Sequence, residues 1–182
     1  MVLLKSNSIE LGTDCPSFSL SSVDNKSYGL KDFKDSSALL VAFICNHCPY
    51  VRAIEDRLIA MRKAFSIEEL AIVGICANDP IGYPDDKPEN LYVRWKEKEY
   101  GFPYLIDAEQ TVAKSFGAVC TPDLFLFDGE RKLFYHGQLD DHWRDAGLVK
   151  REYLKEAIDA ILKRQRPPKE QKPSMGCSIK WR

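Results

Sequence analysis

Hydrophobic positions along the chain keep two rhythms. Ala38-Leu39-Leu40-Val41-Ala42-Phe43-Ile44 is an unbroken apolar run, and Val51, Ile54, Leu58, Met61 and Phe65 follow it at spacings of three and four. The run predicts a buried strand and the spacing a helix. Leu70-Ala71-Ile72-Val73-Gly74-Ile75-Cys76 predicts a second buried strand, stopped by Asn78-Asp79-Pro80. Upstream, Ser17-Phe18-Ser19-Leu20 and Ser27-Tyr28-Gly29-Leu30 alternate around Asp24-Asn25-Lys26, the pattern of a β-hairpin, with one helical turn at Lys31-Asp32-Phe33. Downstream, Pro80, Gly82, Pro84 and Pro88 make residues 78–90 an irregular loop. Asn90 to Tyr100 predicts a helix, Tyr104-Leu105-Ile106 a short strand, and residues 110–116 a short helix closed by Gly117. Residues 123–127 and 132–136 flank Asp128-Gly129-Glu130-Arg131 as an antiparallel hairpin. A last helix over 151–164 buries Leu154, Ala157, Ile158, Ile161 and Leu162.

This order of elements is that of an α/β layered domain whose early connections are long enough for right-handed crossovers. A chain of 182 residues, 45% hydrophobic and 29% charged, is an ordinary globular protein with enough length for a sizeable core. A net charge of −1 removes the electrostatic case for nucleic acid or an anionic membrane. No apolar run approaches the roughly 18 residues of a membrane span, and the patch Met1-Val2-Leu3-Leu4 lacks a signal-peptide pattern. The expected compartment is a reducing cytoplasm, where six cysteines read as chemistry rather than as a disulfide scaffold. The globular domain is expected over 1–164. From Gln165 a polar, proline-bearing linker opens a tail, 165–182, whose Cys177 and Trp181 suggest that it docks.

The chemistry concentrates at Cys45-Asn46-His47-Cys48-Pro49, where the central strand hands over to the first helix. Unpaired N–H groups and partial positive charge at a helix start favour a thiolate. The first cysteine, Cys45, is therefore expected to be the more exposed and the more acidic. Pro49 suits the first helical turn, where its missing N–H costs nothing. Three readings fit the pair: a redox dithiol, half of a zinc site, or inert thiols. Structural zinc sites take four ligands, often from two such pairs, and this chain has one pair, so the dithiol is preferred and no metal or bound cofactor is expected. His47, if protonated, stabilises the thiolate; otherwise it is an exposed loop histidine. Asp140, Asp141, His142 and His136 read as an acidic turn after a hairpin rather than as ligands. Arg94, Trp95, Lys96 and Lys98 read as a solvated helix face with one aromatic tucked in. Cys15 and Cys76 read as core. Cys177, behind a linker, is either a tethered resolving thiol or a bystander to docking by Ile179 and Trp181.

Strand, C-x-x-C, helix and a much later Thr121-Pro122 before Leu124-Phe125-Leu126-Phe127 together resemble the thioredoxin fold: an α/β domain with a central mixed sheet flanked by helices, here with an N-terminal β-hairpin. The Cys-Asn-His-Cys-Pro-Tyr-Val and Pro-Ser-Met-Gly-Cys-Ser-Ile-Lys-Trp motifs are similar to those of the redoxin-type, peroxiredoxin-like branch, associated with alkyl hydroperoxide reductase and thiol-specific antioxidant proteins. The resemblance implies that Thr121–Pro122 is cis, packs against the dithiol and helps shape a substrate groove, and it places Cys120 near the dithiol as a candidate third redox thiol. Two departures stand out. The peroxiredoxin pattern Pro-x-x-x-(Thr/Ser)-x-x-Cys would put a hydroxyl three residues before the reactive cysteine, where this chain has Ala42 or Cys45. Residues 38–44 also hold no acid to serve as a buried proton acceptor.

The resulting expectation is a thiol–disulfide oxidoreductase. Cys45 attacks a protein or small-molecule disulfide, Cys48 resolves it, and a thioredoxin- or glutathione-type donor returns electrons. Its rivals are a peroxiredoxin-like thiol peroxidase and a non-enzymatic binding module on the same scaffold.

Overall fold

The two apolar runs lie side by side and parallel at the centre of the molecule, and everything else is hung on them. The structure is a computed structural model describing residues 3–182; Met1 and Val2, part of the patch read for a signal peptide, lie outside the described residues. The strands are β1 (Leu3–Lys5), β2 (Ser19–Ser22), β3 (Ser27–Gly29), β4 (Ala38–Phe43), β5 (Leu70–Cys76), β6 (Tyr104–Ile106), β7 (Cys120–Thr121), β8 (Asp123–Phe127), β9 (Leu133–His136) and β10 (Met175–Ser178). The helices are α1 (Pro49–Ala64), α2 (Pro88–Glu97), α3 (Thr111–Phe116) and α4 (Tyr153–Leu162).

A seven-stranded mixed sheet runs β3-β2-β6-β5-β4-β8-β9. β4 pairs parallel with β5 and antiparallel with β8, so it is covered along both edges as well as on both faces. Successive side chains of a strand point to opposite faces. Ala38, Leu40, Ala42 and Ile44 accordingly enter one core with α1, α4 and Leu91 of α2, while Leu39, Val41 and Phe43 enter a second with α3. The expected hairpins form, with Leu20 opposite Tyr28 and Leu126 opposite Tyr135. Among the described residues, no helix is long and apolar enough to cross a membrane.

α1 starts as its sequence dictates, with Cys48 at the N-cap and Pro49 in the first turn. Its apolar stripe of Val51, Ile54 and Leu58 is buried, and so is Glu55 on the same helix. A buried carboxylate needs partners. Arg94 meets it through Nε at 2.7 Å and Nη2 at 2.5 Å, and the Tyr100 hydroxyl donates to it at 2.5 Å. Arg94 thus clamps α2 onto α1, while Lys96 beside it is exposed, as expected of that face. Trp95 Nε1 also donates to the Phe102 carbonyl at 2.7 Å.

The segment set apart by the sequence as a tail contributes a strand. β10 lies between β1 and β7 in a second, three-stranded sheet, with Leu3 opposite Cys177 and Cys177 opposite Thr121. The tail is therefore no loose tether: 175–178 pairs on both edges, and Ile179 is buried while Trp181 stays exposed. Gly176 permits this approach, because a Cβ there would lie 1.9 Å from the Thr121 carbonyl oxygen. Overpacking a fitted contact costs typically about 1–3 kcal/mol. Gly176→Ala is expected to lower the urea midpoint by at least that equivalent; an unchanged midpoint would show that β10 is not held against β7 in solution.

Candidate active site

The end of β4, the first turn of α1, the Thr121–Pro122 step and β10 meet at three sulfur atoms. The Thr121–Pro122 bond is cis, as the resemblance implied. Thr121 touches both members of the C-x-x-C: its Oγ1 is 3.3 Å from Cys45 Sγ, and its carbonyl oxygen is 3.1 Å from Cys48 Sγ, a bond that Cys48 can donate only as the protonated thiol. On its other side Cys48 Sγ lies 2.8 Å from Cys177 Sγ. Thr121 and Cys177 are opposite one another in the β7–β10 register, so their side chains share a face, and the alternation of a strand sends Cys120 the other way. Cys120 Sγ instead points to the Pro122 carbonyl at 3.7 Å, and burial followed by the nearby Asp123 charge keeps it protonated. The geometry does not support it as a third redox thiol.

The expected difference in acidity between the two cysteines is reversed, and the expected difference in exposure is absent. Cys45 is only 2% exposed and Cys48 fully buried, so neither stands open to solvent. Burial raises the Cys45 pKa well above the ordinary thiol value, and its contact with Cys48 and the Asp86 charge push the same way. Cys48 is lowered to about 5, first by its hydrogen bond with the Cys45 thiol; burial opposes this, and the Cys177 thiol with the N–H groups of Val51 and Cys177 adds to the lowering. The helix start acts on Cys48, the N-cap residue, through the N–H of Val51.

His47 and Asp86 form the other wall. Asp86 Oδ2 meets His47 Nδ1 at 2.5 Å and accepts from Asn78 Nδ2 at 2.8 Å. Its Oδ1 accepts from the backbone N–H of Asn46 at 2.7 Å and of His47 at 3.3 Å. Burial pushes the Asp86 pKa up, but the donors from His47 and Asn78 overcome it and leave the carboxyl below its ordinary value. Asn46 adds two bonds from its own amide, to the Asp85 and Asn90 carbonyls, both at 3.0 Å. The 78–90 loop, read as turn chemistry alone, therefore fastens the dithiol loop. His47 is no free loop histidine: its ring stacks on Tyr83 with centroids 4.8 Å apart, and Lys180 of the tail lies over Tyr83 at 5.3 Å.

Cys45, His47 and Asp86 place one ligand atom each within 4.8 Å of one another, the arrangement of a candidate metal site. Asp86, however, already accepts four bonds from the chain. A carboxylate so occupied is built to orient a loop, not to hold an ion. The acid–histidine set after the hairpin does not gather either: His136 Nε2 pairs with Asp123 Oδ1 at 2.8 Å, whereas Asp140 pairs with Arg57. Asp123 is a buried acid in β8, opposite Phe43, whereas β4 itself holds none. The expected groove at Thr121–Pro122 is also filled. Thr121 is buried under β10, and beside Pro122 remains a pocket of about 20 Å³, water-sized, lined also by Ile54, Trp143 and Met175.

Comparison with known proteins adds the lineage. The AhpC/TSA family matches residues 11–136. A curated relative, thiol-disulfide oxidoreductase ResA of Bacillus thuringiensis subsp. konkukian (strain 97-27), is 24% identical over 167 residues, 90% of this chain and 83% of the relative. The crystal structure of a hypothetical protein from Sinorhizobium meliloti 1021 is 46% identical and superposes with a TM-score of 0.94 over 98% of both chains. The thioredoxin domain of a Bacteroides vulgatus thiol-disulfide oxidoreductase, 22% identical, has a TM-score of 0.61 over 72% of this chain and 90% of that one. The fold is thioredoxin-like.

A lowered pKa means that Cys48 is ionised in the folded protein above about 5 and protonated below it, whereas an ordinary thiol ionises near 9.0. Thiolate ultraviolet absorbance in the reduced protein is expected at neutral pH, to fall as pH drops through about 5, and to be absent in Cys48→Ser. Absorbance that appears only above neutrality, or that survives in Cys48→Ser and is lost in Cys45→Ser, would reverse the assignment.

Proposed function

Because the chain belongs to the AhpC/TSA family, we propose that it is a thiol–disulfide oxidoreductase cycling Cys45 and Cys48 between dithiol and disulfide. The observation that carries this reading is the Cys45–Cys48 pair itself: two cysteines at a helix start, both held by Thr121 of a cis-proline step. The ResA relative, named a thiol-disulfide oxidoreductase, supports the same chemistry.

The arrangement gives Cys48 two tasks. As Cys45 attacks a substrate disulfide R–S–S–R′, its proton passes to the Cys48 thiolate, the first thiolate leaves, and a Cys45–S–S–R′ bond forms. Cys48 then gives up that proton to the departed thiolate and attacks the Cys45 sulfur, releasing R′ as the second thiolate and closing Cys45–Cys48. A sulfur that is both hydrogen-bond acceptor and resolving nucleophile belongs at the protected position, which Cys48 occupies. His47 and Asp86 hold the loop in register. Pro49 starts the helix, and Thr121 with Pro122 supports both sulfurs. The substrate is a protein or small-molecule disulfide, the electron donor a dithiol or glutathione system, and the compartment a reducing cytoplasm.

One observation favours a second reading. The hydroxyl absent from the positions before either cysteine is supplied from elsewhere: Thr121 Oγ1 stands 3.3 Å from Cys45 Sγ, a place from which it can hydrogen-bond a peroxide. Against it, the Pro-x-x-x-(Thr/Ser)-x-x-Cys pattern of a peroxidatic cysteine surrounds neither Cys45 nor Cys48.

The two are separated by parallel assays with dithiothreitol as reductant. Insulin disulfide reduction is expected to fall at least about 100-fold in both Cys45→Ser and Cys48→Ser, since exchange needs both an attacking and a resolving thiol. Peroxide consumption is expected to be slow. Rapid peroxide turnover that depends on Cys45, with no insulin reduction, would replace this reading with the peroxidase one.

A further inference from the structure

We propose that Cys177 is a third redox thiol, which exchanges with the dithiol by forming a disulfide with Cys48. The proposal deepens the oxidoreductase reading and rests on it.

Cys48 has a sulfur neighbour on each side. Cys45 lies in its own loop, and Cys177 is brought by β10 to a Sγ–Sγ distance of 2.8 Å. Closing that to the ~2.05 Å of a disulfide needs a movement of about 0.8 Å. The contact does not come from a tether sampling the surface. Cys177 is fixed by strand pairing on both edges, to Leu3 and to Thr121, and it is fully buried. Gly176 beside it is the residue whose missing side chain lets β10 approach Thr121. Position, burial and backbone are all committed to presenting one sulfur to another.

The step balances internally. In the oxidised protein the Cys177 thiolate attacks the Cys48 sulfur of the Cys45–Cys48 disulfide. That bond breaks, Cys48–Cys177 forms, and the proton lost by Cys177 ends on the Cys45 sulfur. No oxidant is consumed. In the reduced protein burial, then the negative Cys48, raises the Cys177 pKa to about 12. Once the substrate disulfide has been reduced and Cys45–Cys48 has closed, that charge is gone, while Lys180 continues to favour ionisation, so Cys177 becomes easier to ionise once there is a disulfide to attack. Exchange returns Cys45 as a thiol while Cys48 remains oxidised.

The test is disulfide mapping of the full chain, poised anaerobically in mixtures of oxidised and reduced dithiothreitol, acid-quenched, alkylated and digested. The wild type is expected to yield both Cys45–Cys48 and Cys48–Cys177 peptides. Cys45→Ser is expected to close Cys48–Cys177 within one chain, and Cys177→Ser to form Cys45–Cys48 alone. Oxidised wild type that holds only Cys45–Cys48, with Cys177 fully alkylated at every poise, overturns the proposal, and that readout does not depend on any variant folding. Failure of the oxidoreductase reading looks different: Cys45–Cys48 is then missing from the wild type itself, whereas a Cys48–Cys177 bond in Cys45→Ser would still support the redox role of Cys177.

Discussion

Burying a negative sulfur is the constraint on which the rest of the site depends. Charge taken out of water must be met by donors, or the group stays protonated. Cys48 is surrounded by the Cys45 and Cys177 thiols and by the N–H groups of Val51 and Cys177, contributed by three separate stretches of chain. Each stretch has its own reason to be there: the C-x-x-C fixes Cys45, the helix start fixes Val51, and the β10 pairing fixes Cys177. Remove one and the charge loses a donor that the buried site cannot replace with water.

The same requirement explains how the two cysteines of one motif come to differ. Cys45 faces the Asp86 side, where a carboxylate already holds four donors and adds negative charge; Cys48 faces the side rich in thiols and N–H groups. Few residues separate them in the chain, yet the protein places a negative wall behind one and a donor cage around the other.

Most of the scaffold was legible in the sequence because its signals are local. The unbroken run 38–44, the three-and-four spacing of Val51, Ile54 and Leu58, the Asp128-Gly129 turn and the Thr121-Pro122 step each state their structure within a few residues. The dithiol was legible for the same reason. What escaped is what depends on distant partners. Leu3-Leu4-Lys5 and Met175-Gly176-Cys177-Ser178 have no strand pattern of their own and become strands by pairing with each other and with β7. Asp86 lies in a proline-bearing loop that reads as a turn, and its role appears only when Asn46, His47 and Asn78 converge on it. The inversion of acidity followed from the same blindness: a helix start was visible, but not which sulfur the tail would face.

The pairing of Leu3 with Cys177 joins positions separated by nearly the whole chain. Closing so long a loop has an entropic cost that must be met before the contact returns anything, so such contacts tend to form late. β4, α1 and β5 are neighbours in sequence and in space, and they can gather while β10 is still undocked. During folding, then, the Cys45–Cys48 loop exists for a time without its third sulfur and without the strand that covers Thr121. A nascent molecule carries an open dithiol, and the mature one a closed cluster.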